Sequence, residues 1–214
     1  MEQNLHSLRK SYEKDALLED HLAKNPFEVF SNWFQDAEND KGVEEANAMA
    51  ISTIGQDGFP KTRIVLLKEI EDDTFIFYTN YTSEKAVSIS ENPQISIHFF
   101  WPSLERQVII KAIASKTSRE KSASYFDSRP RGSQLGAWAS HQSDPIASRE
   151  ALEKQLEEVE KRFEGQEVPL PEFWGGFQCA PVSFEFWQGR PNRLHDRILF
   201  EKSNDGWNIK RLQP

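Results

Sequence analysis

Residues 48–67 read AMAISTIGQDGFPKTRIVLL, and this stretch decides the fold class. Its two ends, 48–54 and 61–67, are rich in β-branched and aliphatic residues, which favour strands. The segment between them, GQDGFP, contains the glycine, aspartate and proline that are typical of a hairpin connection. The stretch therefore predicts two neighbouring strands of an antiparallel sheet.

Similar strand patterns continue towards the C-terminus. A second hairpin-type break, EIEDD at 69–73, leads into the strand pattern TFIFYT. These strands, joined mostly by hairpins, predict an α+β fold with an antiparallel sheet, consistent with closure as a barrel. The further predicted strands are 94–101, 106–115, 177–188, 193–202 and 207–212.

Helical patterns lie before and between these strands. The polar segment from Leu5 to Leu22 predicts a helix, and Asn25-Pro26 is typical of a cap followed by proline at the first helical position. Ser83 is a candidate cap for a short helix that ends before Pro93. The other predicted helical stretches are 118–138 and 147–163.

Length and composition narrow the class of protein. With 214 residues, we expect one domain over 1–214, with 1–24 as a mobile helical segment. No apolar run is long enough for a membrane helix and no secretory signal is visible, so we expect a soluble, cytoplasmic protein. A formal net charge of −8 argues against a nucleic-acid partner. Cys179 is the single cysteine, and we expect a buried apolar role for it and no metal site.

The segment Arg193-Leu194-His195-Asp196-Arg197 is a candidate anion site. At the start of a strand, Arg193, His195 and Arg197 would share one face, where three cationic groups repel one another unless an anion or solvent relieves them. A solvated strand face remains an equally good interpretation. If Phe184 and Phe186 are core, Trp187 faces the same groove.

A second candidate anion site lies at 125–133. Tyr125, Arg129 and Ser133 are spaced four apart, and their side chains are good phosphate donors. Pro130 disfavours helical geometry at Arg129, so we expect two short helices that meet there. Ser133 would then lie near the N-terminus of the second helix. Ordinary surface arginines at a helix junction are the alternative.

The stretch FEFWQGRPNRLHDR, 184–197, resembles the signature of the pyridoxamine 5'-phosphate oxidase family. Other segments resemble the family in the same order along nearly the whole chain. They are RIVLLK, FYTNYTSEKA, NPQISIHFFWPSLERQV, YFDSRPRGSQLGAWASHQS, PLPEFWGGF and RLQP.

The resemblance implies an FMN-binding split β-barrel with peripheral helices and a set of ligand contacts. The implied FMN contacts are Arg63, Ile64, Val65, Leu66, Leu67, Lys68, Tyr78, Thr79, Lys85, Gln107, Gln142, Ser143, Trp187 and Arg197. The implied substrate contacts are Arg9, Lys10, Ser11, Tyr12, Lys68, Tyr125, Arg129, Ser133, Arg193, Leu194 and His195, with Arg193 and His195 as the catalytic pair.

The family implies a homodimer that holds FMN at the subunit interface. The implied reaction converts pyridoxamine or pyridoxine 5'-phosphate and O2 to pyridoxal 5'-phosphate, in vitamin B6 salvage. The stretch from Arg9 to Tyr12 resembles one that can close over substrate. Glu84 departs from the family, which often has a phosphate-binding arginine there. Another flavin split-barrel enzyme and a non-enzymatic FMN or pyridoxal phosphate carrier are the rival interpretations.

Overall fold

The structure of the protein, a computed structural model, describes residues 4–8 and 10–214. Helices and strands alternate irregularly along the chain, which confirms the α+β class. The helices are α1 (Pro26–Asn39), α2 (Glu84–Glu91), α3 (Arg119–Ser128), α4 (Arg131–Ala139) and α5 (Arg149–Arg162). The strands are β1 (Ala48–Ile54), β2 (Pro60–Leu66), β3 (Glu69–Glu71), β4 (Thr74–Asn80), β5 (Gln94–Trp101), β6 (Arg106–Lys116), β7 (Trp174–Gln188), β8 (Asp196–Ser203) and β9 (Gly206–Leu212).

Within the described residues, the strands form one nine-stranded sheet in the order β2-β1-β5-β6-β7-β4-β3, in which β8 pairs with β7 and β9 pairs with β8. The pairs β3–β4, β4–β7, β7–β8 and β8–β9 are antiparallel. The break predicted at 69–73 contains the short strand β3, and the positive φ angles of Asp72 and Asp73 turn the chain directly into β4.

The chain forms two compact units, and whether it folds as a single domain stays a prediction. Unit 1 contains Met1–Ala50, Ile97–Lys111 and Pro181–Pro214, and unit 2 contains Ile51–Ser96 and Ala112–Ala180. In unit 1, Trp33 packs edge-on against Phe186 with ring centroids 5.3 Å apart. In unit 2, Phe126, Leu135, Phe163, Val168 and Trp174 form a buried apolar cluster.

Local signals in the sequence set several element boundaries. Asn25 caps α1 by accepting a hydrogen bond from the Phe27 amide, with Pro26 at the first helical position, as predicted. The 118–138 stretch divides at Arg129 into α3 and α4, also as predicted. Cys179 is fully buried, and this burial raises the pKa of its thiol to about 12.

The predicted N-terminal helix is wrong for the described residues. Between Leu5 and Leu22 the only helical element that the structure describes is a single 3-10 turn, Glu19–His21. The physical reason is that backbone amides which a helix would pair internally are bonded to distant carboxylates. Glu13 and Lys14 donate to Glu105, and Leu17 donates to Asp196. The mobility of 1–24 stays a prediction.

The predicted strand start at Arg193 is also wrong, because β8 begins at Asp196. Asn192 and Arg193 have φ angles of 58° and 63°, within a 3-10 turn over Pro191–Arg193. Left-handed backbone interrupts the pleat, so Arg193, His195 and Arg197 do not alternate along one strand. No helix in the described part of the chain is long and apolar enough to cross a membrane.

Candidate functional site

A cavity of about 650 Å³, here called the first cavity, lies in unit 2 among β2, β4, α2, α3 and α4. Much of the residue set predicted from the sequence lines it. These predicted residues are Ile64, Val65, Leu66, Lys68, Tyr78, Thr79, Lys85, Tyr125, Arg129, Ser133 and Gln142.

Arg129 is the central cation of the first cavity. It caps the C-terminus of α3, and its guanidinium lies 4.7 Å from the centroid of the Trp174 ring. Its Nη1 atom is buried and has no hydrogen-bond partner within the described residues. Burial lowers the pKa of Arg129, and the neighbouring Tyr125 partly offsets this. A guanidinium that is packed on one side and unpaired on the other is suited to binding an anion.

Stacked aromatic rings lie beside Arg129 in the first cavity. Tyr78 stacks on Tyr125 with centroids 3.9 Å apart, and both rings are nearly parallel to Trp174. Tyr78 donates a hydrogen bond to Glu69 over 2.7 Å, and burial together with this carboxylate raises the pKa of Tyr78. Burial also raises the pKa of Tyr125. Tyr125 therefore presents a neutral hydroxyl to the cavity, able to donate to an anion.

Lys85 is the second cation at the first cavity. Its buried Nζ donates to Gln142 over 2.9 Å and to Thr79 over 3.2 Å. Burial and the charge of Arg63 lower the pKa of Lys85 to about 8, against a smaller opposite effect of Glu84. Arg63 itself has a buried Nη2 without a partner in the described chain. Two cations that repel each other, one of them with an unused donor, fit a phosphate group.

Among the described contacts the Glu84 carboxylate is paired with Lys61 and not with Arg63 or Lys85, although its charge still acts on both of these cations. Its carboxylate pairs with Lys61, with both oxygens 2.5 to 2.7 Å from Nζ, and both side chains are largely exposed. The Glu84 amide donates to Ser143 Oγ over 3.2 Å. The family often has an arginine at position 84. Here the position is a glutamate whose charge is paired with Lys61, and the sequence did not indicate this partner.

A second cavity, of about 490 Å³, lies in unit 1. Trp187 lines it, and Phe184 and Phe186 are fully buried, as the alternation along β7 predicts. The other predicted residues that line it are Lys10, Ser11, Tyr12, Arg193 and His195.

His195 is held by the loop that carries it. The Arg190 amide donates to His195 Nδ1 over 3.1 Å, and the imidazole lies 4.7 Å from the Trp187 ring. With Nδ1 accepting, the neutral ring carries its proton on Nε2. Burial, and then the charge of Arg193, lower the pKa of His195, while Asp196 opposes this effect. His195 is therefore a hydrogen-bond donor through Nε2 at neutral pH.

Several predicted residues lie apart from both cavity linings. Arg63 donates to Thr53 over 2.8 Å, Ser143 accepts from Glu84, and Arg197 binds Glu185 over 2.9 Å. Arg9 lies outside the described residues. Leu67 is buried, Leu194 is exposed and Gln107 is half-buried on β6. Their predicted ligand contacts stay predictions.

Some residues of both cavities were missed by sequence reasoning. Trp174 packs against Arg129 and lies in the PLPEFWGGF segment, where two adjacent glycines signal a close approach of other groups, here the side chains of Tyr81 and Thr117. Arg190 orients His195 through its backbone amide, which no side-chain pattern reports. Asn80 and Ser140 also line the first cavity.

Two family models match the chain. Residues 35–163 match a model described as pyridoxamine 5'-phosphate oxidase. Residues 174–214 match a model described as the pyridoxine 5'-phosphate oxidase C-terminal dimerisation region.

Full-length relatives are similar in sequence. The chain is 56% identical to a pyridoxine/pyridoxamine 5'-phosphate oxidase of Christiangramia forsetii, over all of both chains. It is 54% identical to an enzyme of the same name from Flavobacterium johnsoniae, over 98% of both chains.

Solved structures share the fold. PhzG from Burkholderia lata 383, in complex with tetrahydrophenazine-1-carboxylic acid, matches with a TM-score of 0.85 and 28% identity, over 94% of this chain and 98% of that chain. A pyridoxamine 5'-phosphate oxidase-related, FMN-binding protein of Nostoc punctiforme matches with a TM-score of 0.70 and 15% identity, over 91% and 99% of the two chains. These matches confirm the split β-barrel fold.

Proposed function

Since this chain belongs to the pyridoxamine 5'-phosphate oxidase family, we propose that it oxidises pyridoxamine and pyridoxine 5'-phosphate to pyridoxal 5'-phosphate. Dioxygen is reduced to hydrogen peroxide, and the amine substrate releases ammonia. The observation that carries the proposal is Arg129, which has a buried donor beside Tyr125 and Ser133 in the first cavity that no described residue pairs. Both substrates carry the phosphate that such a donor set fits.

The substrate phosphate is bound by Arg129 together with Tyr125, Ser133 and Lys68. Ser133 is the third residue of α4, where backbone amides and the helix dipole favour an anion. The Tyr125 hydroxyl stays protonated at neutral pH, because burial raises its pKa. The Trp174 ring packs against one face of the Arg129 guanidinium, so the guanidinium is already held in position when the substrate binds.

FMN is the proposed cofactor. The Arg63 Nη2, which has no partner in the described part of the chain, and the repulsion between Arg63 and Lys85 support a phosphate there, and Ser143 and Gln142 are proposed to add polar contacts. When bound, FMN supplies the two-electron acceptor that the amino-acid side chains lack. Trp187 and Arg197 are further proposed FMN contacts.

Arg193 and His195 orient the reacting carbon of the substrate. The neutral His195 donates from Nε2, and Arg193 supplies a fixed positive charge next to it. Lys10, Ser11 and Tyr12 complete the second cavity around the substrate. No covalent protein nucleophile is required.

The assembly proposed for this function is a homodimer with FMN at the subunit interface. The match of residues 174–214 to a dimerisation region supports it. The reaction serves pyridoxal phosphate biosynthesis, and a cytoplasmic location stays a prediction.

Oxygen consumption by the purified protein with added FMN tests the function. We expect uptake with pyridoxamine 5'-phosphate and with pyridoxine 5'-phosphate, together with formation of hydrogen peroxide. Pyridoxamine without its phosphate is the matched control, and we expect much slower turnover with it. A protein that binds FMN or pyridoxal phosphate without oxygen uptake is a carrier. Equal rates with and without the substrate phosphate would favour a flavin enzyme of another specificity.

Replacing Glu84 by glutamine is expected to strengthen FMN binding. The change removes a negative charge near the proposed phosphate site and releases Lys61 from its ion pair. Because the pair is exposed, we expect a gain of about 1 kcal/mol at most, or roughly fivefold in the Kd of FMN. Quenching of flavin fluorescence on titration into the apoprotein measures this Kd.

Glu91→Gln is the matched control for Glu84, because Glu91 lies on the same helix and contacts Gln56. It should leave the Kd unchanged. Added salt should reduce the difference in the Kd of FMN between Glu84→Gln and the original protein, because salt screens exposed charges. Weaker FMN binding in Glu84→Gln would contradict the pairing of Glu84 described above.

The rate is expected to fall as His195 becomes protonated. Protonation places a hydrogen on Nδ1, which can then no longer accept from the Arg190 amide. Because the pKa of His195 is lowered, the acidic limb of kcat/KM against pH should lie below the ordinary histidine value of about 6.5. In His195→Gln this limb should disappear, and an unchanged limb would assign it to another group.

A further inference from the structure

Glu105 is an acidic residue in an unusual place. It ends the turn between β5 and β6, only 2% of its surface is exposed, and its φ angle is 58°. Acidic side chains are almost never buried to this degree unless they are paired. A left-handed backbone at a residue other than glycine also costs free energy. Two unfavourable features at one residue indicate that its contacts matter.

The carboxylate of Glu105 binds the N-terminal segment. Its Oε2 accepts from the amides of Glu13 and Lys14 over 2.8 and 3.1 Å, and its Oε1 lies 3.1 Å from Lys10 Nζ. Burial alone would raise the pKa of Glu105, but the hydrogen bonds from Lys14, Lys10 and Glu13 outweigh it and lower the pKa. The group therefore stays ionised, and because Lys10 is exposed, the two amide bonds contribute most.

The backbone of Glu105 binds the other wall of the second cavity. Its carbonyl accepts from the Gly189 amide over 2.7 Å and from Gln188 Nε2 over 3.2 Å. Gly189 directly precedes the loop that carries Arg193 and His195. A Cβ atom at Gly189 would lie 2.8 Å from Tyr12 and 3.1 Å from the Glu105 Cβ, so the three residues are in close contact.

Tyr12 connects these contacts of Glu105 to the second cavity. Its ring meets Trp187 edge-on with centroids 5.6 Å apart, and meets His195 at 5.7 Å. Tyr12 follows Lys10 and precedes Glu13, which are both bound by the Glu105 carboxylate. The position of the Tyr12 ring therefore depends on the same carboxylate.

We propose that Glu105 is a positioning residue, which sets the wall formed by residues 10–14 against the wall formed by Trp187 and His195. Its side chain binds the first wall and its backbone carbonyl binds the second, so a single residue determines their spacing. The inference rests on the proposed function only for its effect on substrate. Tethering of residues 10–14 is a structural property that can be measured separately.

Two variants test the anchor. Glu105→Gln preserves size and removes the charge, whereas Glu105→Gly removes the carboxylate and suits the positive φ angle. In both, we expect the KM for pyridoxamine 5'-phosphate to rise about tenfold, because charge-assisted hydrogen bonds to the segment are lost, with a smaller change in kcat. FMN affinity should change less than KM, because Trp187 is the single proposed FMN contact in the two walls that Glu105 is proposed to set. Trypsin cleavage after Lys10 and Lys14 should become about tenfold faster, since the tethered segment is released.

Glu201→Gln is the matched control, because Glu201 is a carboxylate of the same unit that pairs only with Lys210 among the contacts described for it. It should change neither KM nor cleavage. Unchanged cleavage in both Glu105 variants would overturn the anchor. Faster cleavage with an unchanged KM would overturn its positioning role. If the original protein shows no oxygen uptake, the proposed function fails. The cleavage rates then still test whether Glu105 tethers residues 10–14.

Hydrogen exchange on the unmodified protein provides a test that needs no variant. The amides of Glu13 and Lys14 should exchange more slowly than the amide of Ser11, because only the first two donate to Glu105 in the described contacts. Equal, fast exchange at all three amides would overturn the proposal even if both variants failed to fold.

Discussion

Replacing Arg193 by alanine is expected to lower kcat by roughly 100-fold, the cost of removing one fixed donor next to a reacting group. Arg193 lines the second cavity beside His195, and its charge contributes to the lowered pKa of that histidine. Alanine carries a Cβ atom as arginine does, so the steric cost of the positive φ angle at this position is similar for both residues. Steady-state oxygen uptake per bound flavin measures the effect.

The flavin content of Arg193→Ala should stay close to that of the original protein, because Arg193 is not among the proposed FMN contacts. Lys202→Ala is the control, since it removes a cation from β8 without touching the second cavity. Loss of flavin with normal turnover per remaining flavin would show that Arg193 serves the cofactor instead.

Replacing Arg129 by alanine is expected to raise the KM for pyridoxamine 5'-phosphate roughly 10- to 100-fold. Hydrogen bonds to charged groups are worth about 1.5 to 3 kcal/mol, and Arg129 offers the substrate phosphate a buried donor that has no partner among the residues the structure describes. Substrate titration of oxygen uptake gives KM and kcat separately. We expect kcat to change less, because Arg129 acts on the phosphate and not on the reacting carbon.

Arg149→Ala is the matched control for Arg129, since Arg149 is exposed on α5 and pairs with Glu153. Its KM should be unchanged. Alanine at 129 also leaves the Trp174 face uncovered, so thermal unfolding should accompany the kinetics. An unchanged KM in a folded Arg129→Ala protein would remove Arg129 from the phosphate site, whereas a lost flavin would assign it to the cofactor.

Sequence reasoning succeeded where structure depends on neighbours along the chain. Asn25 and Pro26 marked the start of α1, and the restriction that Pro130 places on Arg129 divided α3 from α4. The alternation along β7 placed Phe184 and Phe186 in the core. These outcomes follow from sterics and side-chain direction over a few residues, which the sequence reports directly.

Sequence reasoning failed where distant groups compete for the backbone. The segment from Leu5 to Leu22 was predicted to be helical, yet amides of this segment donate to Glu105 and Asp196, far along the chain. Arg193 was placed in a strand, but positive φ angles delay the strand to Asp196. The distant carboxylates have no local signature, whereas Asn192 is a residue type that tolerates positive φ angles and is a turn signal in the sequence.

By itself, the sequence determined the α+β class, most element boundaries, the family resemblance and the residue types of both candidate anion sites. Tertiary structure alone decided how those residues are used. It left donors of Arg63 and Arg129 without a partner among residues 4–8 and 10–214, and it paired Glu84 with Lys61. It also directed His195 Nδ1 to a backbone amide. The reason is physical. Burial, charge interactions and hydrogen bonds between distant segments depend on which groups lie close together in the folded chain, and the periodicity of the sequence does not specify those contacts.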